Sequence, residues 1–330
     1  MNESKLKKRS FWISVKDFCR KKPVGAAGLV FLIFLLLVAI FADVIAPTKM
    51  ASGSLPTDII HSLAKPALSM TSAERAEARA HNNLHWLGTD NLGHDVLSYL
   101  IYGCRTSVVL GICVTLLSTA ISVIIGLLSA VISGWFDLII QRIVDAWQCI
   151  PGMLITVLLM SMFVNGIPQL IIVMAVPGGI GGSRMIRSAA MAVKDSEYVK
   201  ISEMFGSGVI WKTVKHVLPN TLPLIITSAA GGLGGVVMME AAMNFLGYGV
   251  AIGTPSWGYM ITNQGRANMY TAPWLSLYPG ILIMLMVLAA NLFGDALRDV
   301  MDPRLKGGVG SYNSEKIKKL AAKQLKKYDL

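Results

Sequence analysis

The stretch Glu197-Tyr-Val-Lys-Ile-Ser-Glu-Met-Phe-Gly206, then nine residues, then His216-Val-Leu-Pro219, is a polar, helix-patterned insert between two apolar runs. Tyr198, Ile201 and Phe205 recur at three- and four-residue spacing, Asp195 or Ser196 stands where a helix cap belongs, and Gly206-Ser-Gly208 breaks the pattern. A second apolar series follows, Ile210, Trp211, Val214, Val217 and Leu218, and Pro219 is expected to end it. Two short amphipathic helices with a kink between them make a compact projection that fits a cleft on another protein. The competing reading is a charged connector without a partner.

The flanking runs set the class. With 54% hydrophobic and 15% charged residues and a mean hydropathy of +0.58, the chain is too apolar for an ordinary soluble domain. Six runs approach the length needed to cross a bilayer: Val24–Ala46, Val108–Ser133, Trp147–Val164, Ile167–Ser183, Thr221–Leu246 and Trp274–Phe293, the third and fourth being short. On the side of the N-terminus the intervening segments carry 24 Lys and Arg, whereas the opposite side carries only Lys49, Lys65, Arg75, Arg79, Arg105 and Arg266. That asymmetry predicts cytoplasmic termini and a cytoplasmic 184–220 projection. The net charge of +11 has the same origin and implies lipid contact, with no nucleic acid as partner.

The predicted order is a basic N-terminus (1–23), a first span (24–46), an extracytoplasmic segment (47–107), a five-span core (108–306) containing the 184–220 projection, and a basic tail (307–330). Gly25 to Ala46 is longer than a signal-peptide core, so a retained span is expected. Cys19, Cys104, Cys113 and Cys149 lack metal-ligand spacing and read as small apolar residues. In the outer segment, Thr71-Ser-Ala-Glu74 resembles a capping box that opens a short helix to Ala80. Ser314 to Leu325 of the tail has amphipathic spacing suited to the anionic leaflet or to a protein partner, with a disordered tail as the alternative.

The run His85-Trp-Leu-Gly-Thr-Asp-Asn-Leu-Gly-His-Asp95 precedes the second span, and its Asp90 and Asp95 are both suited to capping the following helix. Four further stretches follow in order: Glu240-Ala-Ala-Met-Asn-Phe-Leu-Gly-Tyr-Gly249, Pro255-Ser-Trp-Gly258, Thr271-Ala-Pro-Trp274 and Asp299-Val-Met-Asp-Pro-Arg-Leu305. Together with the Gly206 and Leu218-Pro219 pair, they resemble the permeases of ATP-binding-cassette importers, in the dipeptide and oligopeptide branch, and there the second, C-type subunit. The resemblance covers residues 85–306, and the first span fits the same branch. It implies an all-α integral membrane protein of the type I importer fold with six transmembrane helices. It also implies a homologous second permease, two cytoplasmic ATPases that carry the ATP and Mg, and an extracytoplasmic solute-binding protein. Peptides are the substrate it implies, with nickel or another small solute as the alternative.

By the same resemblance, residues 184–220 are the ATPase-coupling loop, and its contact residues are Glu197, Tyr198, Lys200, Ile201, Ser202, Glu203, Phe205, Gly206, Ser207, Leu218 and Pro219. The chain departs from the family where Glu-Ala-Ala is usual, since Lys200-Ile201-Ser202 stands there. Lys reverses the local charge, Ile and Ser need a differently shaped cleft, and Glu203 is the candidate for a displaced acid. At His94 the family usually has Arg, so no fixed ion pair is expected at that position.

Glu240 is an ionisable residue late in the fifth span, and such groups face a pathway or a polar interior. It reads equally as a brace for the outer loop or, with Met239 and Met243, as part of the translocation pathway or its gate. The clusters Gly178–Gly182 and Gly231–Gly235 contain Gly-x-x-x-Gly spacing and suit close helix packing or a hinge. Neither is a phosphate cradle, since no Gly-Lys-Ser/Thr follows, so the chain is expected to bind no nucleotide or other cofactor itself. His61, His81, His85, His94 and His216 are not spaced as metal ligands. No catalytic constellation is present, and a non-catalytic subunit is expected, with a passive channel or scaffold as the reading from a different class.

Overall fold

The computed structural model describes Cys19 and residues 22–51, 54–72, 75–76, 78 and 85–301. The Ser314–Leu325 tail and the Glu74 end of the capping box lie outside the described residues. Eleven α-helices are described: α1 (Pro23–Ile40), α2 (Ala42–Ile45), α3 (Val96–Ile132), α4 (Gly134–Gln148), α5 (Gly152–Met160), α6 (Ile167–Lys194), α7 (Glu197–Met204), α8 (Val209–Lys212), α9 (Leu218–Phe245), α10 (Trp257–Tyr259) and α11 (Trp274–Met301). Five helices or helix runs are long and apolar enough to cross a membrane, and a bent pair makes a sixth.

Several expected boundaries shift, each for a local reason. The second span was expected from Val108, but α3 begins at Val96 because Asp95 accepts a hydrogen bond from Ser98 N (2.9 Å) and caps it there. Its 37 residues span about 55 Å, well beyond an apolar core of about 30 Å, so part of the helix extends past such a core. The first helix ends at Ile40 and restarts as α2, whereas α6 and α11 run on to Lys194 and Met301. The third span, expected over Trp147–Val164, is the bent pair α4 and α5, which meet at 82° around Pro151. Proline removes a backbone donor there, and the preceding helix carries Asp137, Arg142 and Asp145, so hydropathy alone misplaced the span.

α4 is held by charge. Its Asp137 takes Nε of Arg187 at 2.6 Å, and its Asp145 takes Arg184, so two acid–arginine pairs fasten α4 to α6. Trp135, Ile139 and Ile143 of the same helix are exposed.

Helix α3 is the axis of the bundle: it packs along α6 and α9, while α1 lies on α11 and α3. Glycine makes these approaches possible. A Cβ at Gly179 would meet Ile121 Cβ at 2.6 Å and Ser118 O at 2.9 Å, and one at Gly294 would meet Gly231 N at 2.8 Å. Close packing is therefore the role of Gly179, Gly182 and Gly294, whereas a Cβ at Gly231 would meet nothing within 4 Å and Gly178, Gly181, Gly232 and Gly235 border an open groove. A Gly179→Val variant is expected to lose about 1–3 kcal/mol of stability by overpacking. Gly181→Ala, with no atom within 4 Å of its added Cβ, should match or slightly exceed the parent. Thermal unfolding midpoints of the two variants in detergent decide it; equal losses would mean the α3–α6 contact is not close-packed.

Candidate functional site

Between α6 and α9, α7 and α8 form a hairpin. Gly206 turns it with φ +81°, a conformation that disfavours side chains. Ser202 and Ser207 close the turn through their hydroxyls at 2.8 Å, and Lys212 Nζ donates to Glu203 Oε1 at 2.7 Å. That bond holds the Glu203 carboxyl below the usual glutamate range, with the positive charge of Lys212 adding to it. Glu203 is thus engaged within this chain, and its partner Lys212 is buried. The ring of His216 meets Trp211 edge-on at 5.0 Å and Tyr198 at 6.0 Å, which docks α7 against the second limb.

The sequence placed a cap at Asp195 or Ser196, but neither side chain caps α7; Ser196 Oγ instead donates back to Val193 O. Nor does Pro219 end the second limb. A π turn at Thr213–Val217 leads from α8 straight into α9, where Pro219 occupies the first turn, a place that needs no backbone donor. The limb is therefore the N-terminal end of one long helix run, Val209–Phe245.

The apolar stripes face outward. Only Val199 of α7 is buried, whereas Met204 and Phe205 are each 86% exposed and Ile210 79%. Tyr198, Ile201, Trp211 and Val214 are exposed beside them, as are Glu197 and Lys200; Ser202 and Ser207 are half-buried in the turn. Leu218 packs inward on the cluster around Val217 and Ile225. Met204, the most prominent side chain with Phe205, was not singled out in the sequence, although its place next to the glycine break was the available signal.

Within the bundle a groove of about 520 Å³ opens between α3, the α4–α5 elbow, α6 and α9. Val114, Trp147, Met153, Met174 and Met239 line it with five glycines, and among the described residues no charged side chain does. Met239 thus borders the groove, while Met243 and Glu240 are fully buried away from it. Glu240 Oε1 accepts from Asn244 Nδ2 (2.5 Å) and Ser256 Oγ (2.7 Å), which ties α9 to the start of α10. Asn244, one turn on at i+4, was legible as a partner; Ser256 was not.

Before α3, Asp90 caps no helix, contrary to expectation. Its Oδ1 accepts from the backbone of Leu92 and His94 (both 2.8 Å), and its Oδ2 receives His94 Nδ1 (2.8 Å) and Gln264 Nε2 (2.5 Å). A fixed pair therefore does form at His94, made within the loop itself. Asp95 stays below the usual aspartate range: burial pushes it up, but His85 and Ser98 bind the charged form and outweigh that.

Comparison with known proteins agrees with this geometry. Residues 122–307 match the family model of the binding-protein-dependent transport system inner membrane component, and residues 10–66 match the N-terminal TM domain of oligopeptide transport permease C. The dipeptide transport system permease protein DppC of Haemophilus influenzae is 34% identical over 90% of this chain and 95% of its own length. The glutathione transport system permease protein GsiD of Escherichia coli is 31% identical over 87% and 89%, and that of Pectobacterium atrosepticum is 30% identical over 90% and 91%. A multi-pass helical bundle, a projecting apolar hairpin and two matched family models converge: the chain belongs to the inner-membrane permeases of binding-protein-dependent ABC importers, in their oligopeptide permease C branch.

Proposed function

We propose that this chain forms half of the translocation pathway of a peptide importer and couples to an ATPase through the α7–α8 hairpin. The observation that carries the coupling role is the hairpin itself: Met204, Phe205 and Ile210 are held out from the bundle by a braced turn and are covered by nothing among the described residues. An apolar knob of that kind needs a cleft on a partner. ATP and Mg belong to that partner, and this chain holds no cofactor. The Lys and Arg bias supports a cytoplasmic hairpin and cytoplasmic termini.

A second, homologous permease supplies the other wall of the groove, and an extracytoplasmic solute-binding protein delivers substrate to the outer loops. The uncharged groove suits passage of a net-neutral, polar chain such as a short peptide, because it offers no fixed charge to trap it. Movement of the hairpin would rock α6 and α9, to which it is joined at both ends, and so open the groove to alternate sides.

The test is reconstitution in proteoliposomes with the neighbouring permease, ATPases and binding protein. Peptide-loaded binding protein is expected to raise ATP hydrolysis and drive labelled peptide into the vesicles. ATPases that fail to bind would sink the coupling role; hydrolysis stimulated by a different solute would overturn only the substrate.

A further inference from the structure

Glu240 is a carboxyl whose surroundings decide whether it carries a proton. Its side chain is fully buried near the outer end of α9. One carboxyl oxygen, Oε1, is satisfied by Asn244 and Ser256. The other, Oε2, is buried with no donor, and the hydroxyl of Ser107 on α3, which lies against the same carboxyl, is also buried without a partner. The hydrogen that joins Ser107 to Oε2 belongs to the hydroxyl if the carboxyl is ionised and to Oε2 if it is neutral, and the surroundings of the carboxyl decide between the two.

No cation takes that role. The groups facing the carboxyl are Ser107 from α3, Asn244 from α9 and Ser256 from the start of α10. The ionisable side chains nearby are Tyr99 of α3, which lies at the Ser256 backbone, Tyr259 and, beyond Tyr99, Asp90 with His94; His94, the basic one, packs on the Tyr99 ring and is bonded to Asp90 at 2.8 Å, and it is not among the groups facing the carboxyl. Arg266 of the α10–α11 linker sits over the Phe245 ring at 5.7 Å. Space for solvent is also lacking on the loop side, where a Cβ on Gly258 would meet Ala241 Cα at 2.7 Å and one on Gly249 would meet Asn244 Oδ1 at 1.8 Å. An ionised carboxylate enclosed in this way, at membrane depth and without a counter-charge, is strongly disfavoured.

We propose that Glu240 is a proton-binding site of the outer gate. In this packing the carboxyl is neutral and donates through Oε2 to Ser107 Oγ, joining α3, α9 and the Ser256 loop in one hydrogen-bonded knot. When that loop withdraws and water enters, the O–H bond breaks heterolytically, the proton passes to extracytoplasmic water, and a hydrated carboxylate remains. Closing the gate requires the proton to return. The proton is therefore a ligand of the closed outer mouth, and opening and protonation are linked.

The test is an infrared difference spectrum, parent minus Glu240→Gln, of the assembled complex in lipid nanodiscs at neutral pH. Expected is the carbonyl stretch of a neutral carboxylic acid, downshifted in heavy water, and shifted upward in Ser107→Ala as the acceptor is lost. Symmetric and antisymmetric carboxylate bands in its place would overturn the proposal, as would an acid band indifferent to Ser107→Ala. If Glu240→Gln does not assemble, the parent-minus-Ser107→Ala spectrum carries the same test. The release step rests on the importer reading and is read separately: Glu240→Gln, which cannot discharge a proton, should assemble normally yet lower uptake by about tenfold. Unchanged uptake with the acid band present would overturn release while leaving the neutral carboxyl in place. Absent uptake by the parent would count against the importer reading alone.

Discussion

Asp90→Ala is expected to destabilise the protein by about 3–5 kcal/mol, the cost of breaking a buried charged network from one side. Asp90 is fully buried, and its two oxygens serve four donors: two backbone amides that shape the 90–94 turn, the His94 ring and Gln264. Removing it strands three of those donors where little water reaches them. Because Gln264 belongs to the π turn at Met260–Gly265, the same deletion loosens the α9–α11 linker from the N-terminus of α3. Asp90→Asn keeps an acceptor for the backbone pair and should lose about half as much. The apparent unfolding midpoint of the purified protein in detergent reads both. An Asp90→Ala midpoint within error of the parent would show that the loop is not fastened through this carboxylate.

That network also shows where sequence reading stops. The membrane class, the helical fold and the hairpin broken at Gly206 were legible, because hydropathy, charge asymmetry and three- and four-residue spacing are local signals. Two of the misses came from residues with more than one structural use. Pro219 reads as a stop, yet a proline in the first helical turn starts a helix as readily as it ends one. Asp90 and Asp95 both look like caps, and only the fold decides that Asp95 takes the cap while Asp90 bonds Gln264, 174 residues away. The third span failed differently: the run from Trp147 is apolar enough, but Pro151 bends it and the acid–arginine pairs hold its first half against α6. At Glu240 the burden was visible in the sequence and its relief was not, since Ser107 and Ser256 lie in other elements.

The second large effect concerns the hairpin. A Met204→Asp, Phe205→Asp double variant is expected to abolish ATPase co-purification, a loss of about 2–4 kcal/mol of binding, or roughly 30- to 1,000-fold in affinity. Both side chains are 86% exposed and contribute little to this chain's own core, so membrane insertion and the unfolding midpoint should stay as in the parent. The remaining surface separates contact from posture. Lys212→Ala removes the bond to Glu203 without touching the exposed stripe, so it should weaken binding less, by loosening the angle between α7 and α8. Lys200 is exposed and makes no ion pair among the described residues, so Lys200→Glu tests the charge of the opposing cleft directly. If the cleft is acidic where Lys200 enters, the reversal weakens binding further at low salt than at high salt. If instead the double aspartate variant still retains its ATPase, the apolar knob is not the contact, and coupling would have to run through the polar edge formed by Glu197 and Lys200.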